Sequence, residues 1–166
     1  MAVQPGRRAK KIRLRPASRA DLDALVGLEH RTFTYDQMSR RSFRRLIGSK
    51  SASLIVAERD GRFAGYALVL FRSNSPLARL YSIAVTETGH GIGPALLTGA
   101  EQAARRRGCT SMRLEVHEAN AAAIRRYRSS GYAFRGKQTG YYSDGATAHS
   151  YAKNLHAYRR VNAVGR

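Results

Sequence analysis

Residues 79–97 read RLYSIAVTETGHGIGPALL, and they determine how the rest of the chain is interpreted. The apolar run at 80–85 predicts a strand, three glycines (Gly89, Gly91 and Gly93) alternate in the segment after it, and a helical pattern follows. A glycine-rich loop between a strand and a helix lets backbone N–H groups approach an anion, and the helix N-terminus adds a favourable dipole. The stretch therefore predicts a phosphate-binding loop.

The length of the chain indicates one globular domain. At 166 residues it can bury a sizeable core without disulfides or structural metals. The sequence pattern places this domain at 12–155, between a basic N-terminal arm (1–11) and a C-terminal tail (156–166). No repeat or low-complexity segment interrupts it, so we expect a single functional unit.

Cysteine usage and hydropathy indicate the compartment. The single cysteine, Cys109, excludes an internal disulfide and favours a reducing environment, and a buried structural role is expected for it. No run approaches the roughly 20 apolar residues that span a bilayer, and no apolar segment follows the basic residues near the start. We therefore expect a soluble, cytoplasmic protein without membrane contact.

The chain is strongly basic: 30 Lys and Arg against 11 Asp and Glu give a formal net charge of +19. The basic residues are spread over several predicted helices, with clusters at 40–45, 105–107 and 125–128, and form no single stripe. Two interpretations stay open, namely solvated helix faces or attraction to an acidic partner such as RNA, the ribosome or an acidic protein.

Periodicity and turn signals divide the domain into seven strands and four helices. The segment Ser18 to Asp21 is similar to a capping box, and Asp60-Gly61 is typical of a two-residue hairpin turn. The order is strand, helix, helix, three strands, helix, strand, helix and two strands, which predicts an α/β (α+β) fold on a mixed sheet with a parallel crossover. The predicted elements lie at 12–15, 18–33, 39–47, 54–59, 63–72, 77–85, 92–107, 112–116, 120–130, 132–138 and 149–154.

A second block of sequence carries a family resemblance. Residues 114–124 read LEVHEANAAAI, and Tyr127 and Gly131-Tyr132 follow, so the pattern L-E-V-x-x-x-N-A-A-A-I-x-x-Y-x-x-x-G-[FY] is met without a gap. With the element order and the glycine loop, the chain resembles the GNAT superfamily of acetyl-CoA-dependent N-acetyltransferases, and within it the ribosomal-protein-alanine N-acetyltransferases. The resemblance implies a GNAT-like fold with splayed central parallel strands, acetyl-CoA as cosubstrate and no metal.

The resemblance also implies where the cofactor binds. The end of the strand offers its backbone to the pantetheine arm, the glycine loop offers amides to the pyrophosphate, and an asparagine contacts the cofactor. These positions are Ile83, Ala84, Val85, Gly89, His90, Gly91, Ile92, Gly93, Pro94 and Asn120. Asn120 can equally serve as the N-cap of the helix that follows it, and both roles are compatible. His90 is also expected as a solvated loop side chain.

Two residues of the loop depart from the family pattern. Thr88 stands where the family usually has Gln or Arg, so that side-chain contribution is lost. Pro94 occupies a phosphate-contacting position but has no N–H, although proline is well tolerated in a first helical turn. We therefore expect a weakened phosphate contact, but an active enzyme.

Two residues are candidates for catalysis. Glu115 lies on the strand face opposite Leu114 and Val116, and the resemblance makes it the general base, acting through water; the alternative is a surface carboxylate paired with an arginine. Tyr127 lies seven residues after Asn120 on the same helix face. A phenol of pKa near 10 can protonate a leaving thiolate of pKa near 8.5, and the resemblance makes Tyr127 this proton donor. The alternative is a core tyrosine.

Further polar residues lie near this motif. His117 shares the strand face of Glu115 and is an alternative base. Tyr141, Tyr142 and Asp144 lie in the loop between the last two strands, where the family approaches its acceptor, so they are candidates for substrate binding; simple hairpin packing explains them equally well.

The acceptor stays open at this point. A protein N-terminal amine, with a pKa of about 7.7 to 8.0, deprotonates more easily than lysine at about 10.4, so a mild carboxylate base suits it. The preferred acceptor is a protein N-terminus, with a ribosomal protein as a candidate; the alternative is a small-molecule amine, with polycations disfavoured by the net charge. From another class, a non-catalytic RNA- or ribosome-binding module fits the charge but lacks a recognition motif. A dinucleotide site is disfavoured because Pro94 replaces the last glycine, and no Gly-Lys-Ser/Thr motif is present.

Overall fold

The structure, a computed structural model, describes residues 11–155. The tail (156–166) and the basic arm apart from Lys11 lie outside the described residues. Within 11–155, no helix is both long enough and apolar enough to cross a membrane.

In the part of the chain that the structure describes, seven strands and four helices follow one another in the predicted order. A 3-10 turn at Arg19–Asp21 precedes the first helix. The strands are β1 (Ile12–Pro16), β2 (Ala52–Arg59), β3 (Arg62–Phe71), β4 (Leu77–Val85), β5 (Ser111–His117), β6 (Ala133–Gln138) and β7 (Ala148–Asn154), and the helices are α1 (Leu22–Thr32), α2 (Arg40–Leu46), α3 (Ile92–Arg106) and α4 (Ala121–Ser129).

Local signals account for several element boundaries. Ser18 and Asp21 form the predicted capping box, which leads through the 3-10 turn into α1. The Ser39 side chain caps α2 by accepting a hydrogen bond from the backbone N–H of Ser42 at 3.1 Å. Asp60 and Gly61 have positive φ angles of 53° and 77°, which is the backbone that a tight β2–β3 hairpin requires.

All seven strands form one sheet in the order β1-β2-β3-β4-β5-β7-β6. Neighbours are antiparallel except β4 and β5, which are parallel and joined by α3. These two strands pair over only three positions, from Leu77↔Ser111 to Arg79↔Arg113. Beyond these positions β4 and β5 no longer pair with each other. The predicted splay is therefore confirmed, and it opens a wedge between the distal parts of β4 and β5.

Each face of the sheet carries its own apolar core. On one face α3 and α4 pack their buried side chains, including Leu96 and Tyr127, against the strands. On the other face α1 and α2 contribute Leu25 and Phe43, which pack with Tyr66 of β3. Gly99 brings α3 close to β1, because a Cβ at this position would lie 2.5 Å from Leu14 Cδ1. The rigid layers hold the wedge open between them.

Candidate active site

A cleft of about 850 Å³ lies in the wedge between the splayed strands. Residues of β4, β5 and α4 line it. The segment 32–36 after α1 and the β6–β7 loop (139–147) also contribute lining residues. A cleft at the point where parallel strands separate is a common place for a ligand in α/β proteins.

Ile83, Ala84 and Val85 line this cleft, as the cofactor prediction requires. One edge of β4 at these residues pairs with β3, in the register Ala67↔Ile83 to Gly65↔Val85. The other edge has no strand partner there, since pairing with β5 ends at Arg79. Backbone groups on that edge are thus free to pair with the amides of an extended ligand.

The glycine loop forms the start of α3. Gly89 and Gly91 have φ angles of 79° and 78°, a left-handed backbone that favours glycine, and Gly91 is the N-cap residue. The first N–H groups of an α-helix have no acceptor within the helix, so they face this loop. Residues 89–94 do not line the cleft itself, whereas Thr88 does.

Side chains of the loop are divided between solvent and core. His90 Nε2 lies 3.1 Å from Glu87 Oε2, so the histidine pairs with a carboxylate of the same loop. Ile92 is 2% exposed and belongs to the core under α3, while Pro94 is exposed. Of these residues, Ile92 can therefore reach a ligand only through its backbone.

Asn120 is the N-cap residue of α4. Its side-chain oxygen accepts a hydrogen bond from the Ala123 backbone N–H at 3.1 Å, which is the N-cap contact. Asn120 also lines the cleft, so its predicted contact with the cofactor stays a prediction that is compatible with the capping role.

Glu115 lies inside the cleft with its side chain only 5% exposed. Arg79 Nε donates a hydrogen bond to Glu115 Oε2 at 3.1 Å, and Arg113 Nε lies 3.2 Å from Oε1. Buried charges are expected to be paired, and these two guanidinium groups neutralise the carboxylate. The glutamate is thus both an arginine-paired residue and a cleft residue.

Tyr127 extends from α4 to the cleft and is 7% exposed. Burial raises the pKa of its phenol to about 12, and the neighbouring Arg126 opposes part of that rise. Its ring contacts Tyr132 edge to face at 5.8 Å. The phenol therefore remains protonated at neutral pH and can donate a proton.

His117 lines the cleft, but both of its ring nitrogens have partners. Nδ1 accepts a hydrogen bond from the Ala119 N–H at 3.1 Å, and Nε2 lies 3.5 Å from Asp144 Oδ2. The ring also stacks on Tyr142 at 5.2 Å. Because both ring nitrogens already have partners, this geometry argues against His117 as the base.

The predicted substrate residues divide into two groups. Tyr141 and Tyr142 line the cleft, and the Tyr141 hydroxyl accepts a hydrogen bond from Arg79. Burial raises the pKa of both phenols, that of Tyr142 to about 12. Asp144 does not line the cleft; its carboxylate accepts from the Ala146 N–H at 3.0 Å and pairs with His117.

Several residues of the cleft were not singled out in the sequence. Glu29, 2% exposed, accepts hydrogen bonds from the Met38 N–H at 2.9 Å and from the Tyr66 hydroxyl. Asp36 accepts a hydrogen bond from the Ser143 N–H at 3.0 Å and so joins the segment 32–36 to the β6–β7 loop. The others are Tyr81, which lies at a β-bulge of β4, Arg79 and Arg126. In the sequence, only the alternation of side chains along β4 could have pointed to Arg79, and no pattern distinguishes Arg126 from its neighbours.

Both signs of charge line the cleft. Three carboxylates, those of Glu29, Asp36 and Glu115, line it together with the guanidinium groups of Arg79 and Arg126. Arg126 lies beside Gly93 of α3. Among residues 11–155, no group of three or more His, Cys, Asp or Glu could hold a metal ion. Cys109 is buried, as predicted, and burial raises the pKa of its thiol.

Comparisons with known proteins agree with this geometry. The family model described as acetyltransferase (GNAT) family matches residues 22–132. The chain is 34% identical over 104 residues to streptothricin acetyltransferase from Streptomyces lavendulae, which covers 61% of this chain and 55% of that protein. The chain thus spans little more than half the length of this curated relative.

Solved structures cover more of the chain. The ribosomal-protein-S18-alanine N-acetyltransferase from Escherichia coli superposes with a TM-score of 0.77 at 26% identity, covering 87% of this chain and 94% of that one. Nourseothricin acetyltransferase superposes with a TM-score of 0.71 at 26% identity, covering 87% and 98%. These similarities include acetyltransferases of both protein and small-molecule amines.

Proposed function

The chain belongs to the GNAT acetyltransferase family, and on that premise we propose that it moves the acetyl group of acetyl-CoA to the N-terminal α-amine of a protein. One observation carries the proposal. The wedge between β4 and β5 brings Glu115 of one strand and Tyr127 of α4 into a single cleft, beside an unpaired backbone edge. A base, an acid and a binding edge are what acetyl transfer to an amine needs.

The cleft and the glycine loop that follows β4 fit acetyl-CoA in two respects. The free edge at Ile83 to Val85 matches the amide groups of a pantetheine arm, and the N-terminus of α3 matches a pyrophosphate. When bound, acetyl-CoA supplies an acetyl group activated as a thioester. Asn120, which lines the cleft next to this edge, is proposed to contact the arm through its side-chain amide.

Glu115 and Tyr127 divide the proton transfers between them. The attacking amine forms its bond to the acetyl carbon and loses a proton, which Glu115 accepts through water. Tyr127 donates its proton to the sulfur as the carbon–sulfur bond breaks, so coenzyme A leaves as a thiol, which at a pKa near 8.5 is the predominant form at neutral pH. Arg79 holds the Glu115 carboxylate and the Tyr141 hydroxyl in one hydrogen-bonded row.

The loops that line the cleft support a peptide acceptor. Tyr141 and Tyr142 present rings and hydroxyl groups to the cleft, and the segment around Asp36 is hydrogen-bonded to the same loop through Ser143. An extended N-terminal segment is proposed to lie against these two joined loops with its amine toward Glu115. The relative from E. coli, whose name gives it a protein alanine as acceptor, supports this choice.

A small cationic amine is the second candidate. Three carboxylates line the cleft against the two arginines Arg79 and Arg126, and this small excess of acidic groups supports a positively charged ligand despite the net charge of +19. The similarity to streptothricin acetyltransferase supports the same class of acceptor.

Competition between acceptors distinguishes the two candidates. Release of coenzyme A thiol is measured with free-N-terminus peptides, the same peptides with a blocked N-terminus and a lysine, and small polyamines or aminoglycoside-like amines. The proposal expects the highest kcat/KM for free-N-terminus peptides and little with blocked ones. A preference of tenfold or more for the small amines, about 1.4 kcal/mol, would overturn the peptide acceptor in favour of the second candidate.

A further inference from the structure

Arg126 lies across the first turn of α3, although it belongs to α4. Its Nη1 and Cζ atoms would lie 3.6 and 3.8 Å from a Cβ built on Gly93. The side chain is half-buried and lines the cleft, together with Val85 and Asn120. The guanidinium therefore stands where the glycine loop, the end of β4 and the start of α4 come together.

Arg126 has no carboxylate partner in the part of the chain that the structure describes. The other arginine of the cleft, Arg79, is paired with Glu115. The nearest acid of the loop, Glu87, lies within ion-pair distance of Arg59 and His90. An unpaired guanidinium in a half-buried position is costly unless something anionic joins it.

The loop beside Arg126 lacks a cation of its own. Residues 86–98 contain no Lys or Arg, and they include the acidic Glu87. Pro94 also withholds one backbone N–H from the first turn. Whatever anion this loop holds must find its positive charge on another element.

We propose that Arg126 binds the pyrophosphate of acetyl-CoA, supplying from α4 the charge that the glycine loop lacks. This inference rests on the proposed function. A guanidinium donates paired, charge-assisted hydrogen bonds to phosphate oxygens, and partial burial protects them from salt. Contact with Gly93 places the group next to the free amides of α3, so both donors face one anion.

Another role for Arg126 must be separated from this one. It lies in the last turn of α4, where any cation interacts favourably with the helix dipole. Arg128 lies in the same turn, is exposed and does not line the cleft. Arg128→Gln is therefore a control of matched charge and position on the helix.

The test compares Arg126→Gln, Arg126→Lys and Arg128→Gln with the wild type by calorimetric binding of three ligands. Acetyl-CoA carries all phosphates, acetyl-dephospho-CoA lacks the 3′-phosphate, and S-acetylpantetheine has none. Arg126→Gln should weaken the binding of acetyl-CoA and acetyl-dephospho-CoA by about 10- to 100-fold, since the charge-assisted hydrogen bonds to the pyrophosphate are lost. The affinity for S-acetylpantetheine should be unchanged. Arg126→Lys should recover part of the loss, and Arg128→Gln should bind like the wild type.

Three results would overturn this inference and leave the proposed function standing. An equal loss for all three ligands would make the effect structural, and a loss for acetyl-CoA alone would assign Arg126 to the 3′-phosphate. If Arg128→Gln lost as much affinity for acetyl-CoA as Arg126→Gln, the effect would come from net charge alone. If the wild type itself bound none of the three ligands, the proposed function would fail and this inference with it.

Discussion

Glu115 combines two properties that the sequence could present only as alternatives. It pairs with Arg79 and Arg113, and it also faces the cleft with Tyr127. The spacing of the motif identified the glutamate and the tyrosine. It could not identify Arg79, which lies 36 residues before its partner and becomes a neighbour through the parallel pairing of β4 with β5.

Replacing Glu115 by Gln tests the base. We expect kcat to fall about 100-fold at pH near 7, because general-base catalysis is worth roughly two to four orders of magnitude, with the Kd of acetyl-CoA unchanged. The deficit should shrink as pH rises past the acceptor amine's pKa of about 8, where the amine needs no base. Glu118→Gln, at an exposed carboxylate after β5, is the control. Near-normal turnover, or a deficit constant with pH, would remove Glu115 from this role.

Replacing Tyr127 by Phe tests the acid. Because burial raises the pKa of this phenol to about 12, it stays protonated throughout the working range. Wild-type kcat should therefore show no fall between about pH 8 and about pH 10, below the phenol's ionisation. Tyr127→Phe should lower the whole profile by about 100-fold or more without changing its shape. Tyr132→Phe, which removes the hydroxyl of the adjacent ring, controls for packing; equal losses in both variants would contradict the assignment.

At the scale of elements, local signals predicted what depends on local structure. Capping residues, the Asp60-Gly61 turn and apolar periodicity gave the order of the strands and helices. The extent of pairing between β4 and β5 depends on long-range packing, so the wedge came only from the family resemblance. The sequence also could not identify Arg126. With 30 basic residues in the chain, nothing in the sequence separates it from Arg125 or Arg128.

The N-terminus of α4 should reveal two separable roles of Asn120. Asn120→Ala removes the hydrogen bond to the Ala123 N–H and should cost about 1 kcal/mol of unfolding free energy. Asn120→Ser keeps a capping oxygen and should retain most of that stability. Both variants should bind acetyl-CoA more weakly, since both lack the amide. Normal binding by Asn120→Ser would leave the residue with the N-cap role alone.

The junction of β1 and α1 should make stability depend on pH. Arg15 donates to both carboxylate oxygens of Asp21 at 2.8 Å and to Glu58 at 2.7 Å. The hydrogen bonds from Arg15 lower the pKa of Asp21, and burial partly opposes them. A carboxyl whose pKa is lowered on folding contributes stability above its unfolded pKa of about 3.9, and this is lost as pH falls through the folded value.

Arg15→Met measures this contribution. We expect a loss of about 2–3 kcal/mol near pH 7, since Asp21 is left buried without its cation, and a smaller loss below about pH 3. Denaturant unfolding across this pH range gives both values. Arg13→Met, at an exposed position of the same strand, should change little. If the difference in unfolding free energy between the wild type and Arg15→Met stayed constant with pH, Asp21 would be excluded as its source.

At the scale of the whole molecule, the charge is less simple than the composition indicated. The net charge of +19 led us to disfavour polycationic acceptors, but three carboxylates and only two arginines line the cleft. A basic exterior can still attract RNA or an acidic protein, and such binding should weaken steeply with salt. Acetyl transfer should be much less sensitive to salt, because buried and partly buried charges are screened less.

The most direct test of the account is amine-dependent release of coenzyme A thiol, measured across the acceptor panel with the wild type and with the double variant Glu115→Gln/Tyr127→Phe. We predict release by the wild type that requires an acceptor with a free amine, with the product carrying one acetyl group, and no release above background by the double variant. Its acetyl-CoA affinity should stay within a few-fold of the wild type. Undiminished acetyl transfer by the double variant would contradict catalysis in the β4–β5 wedge.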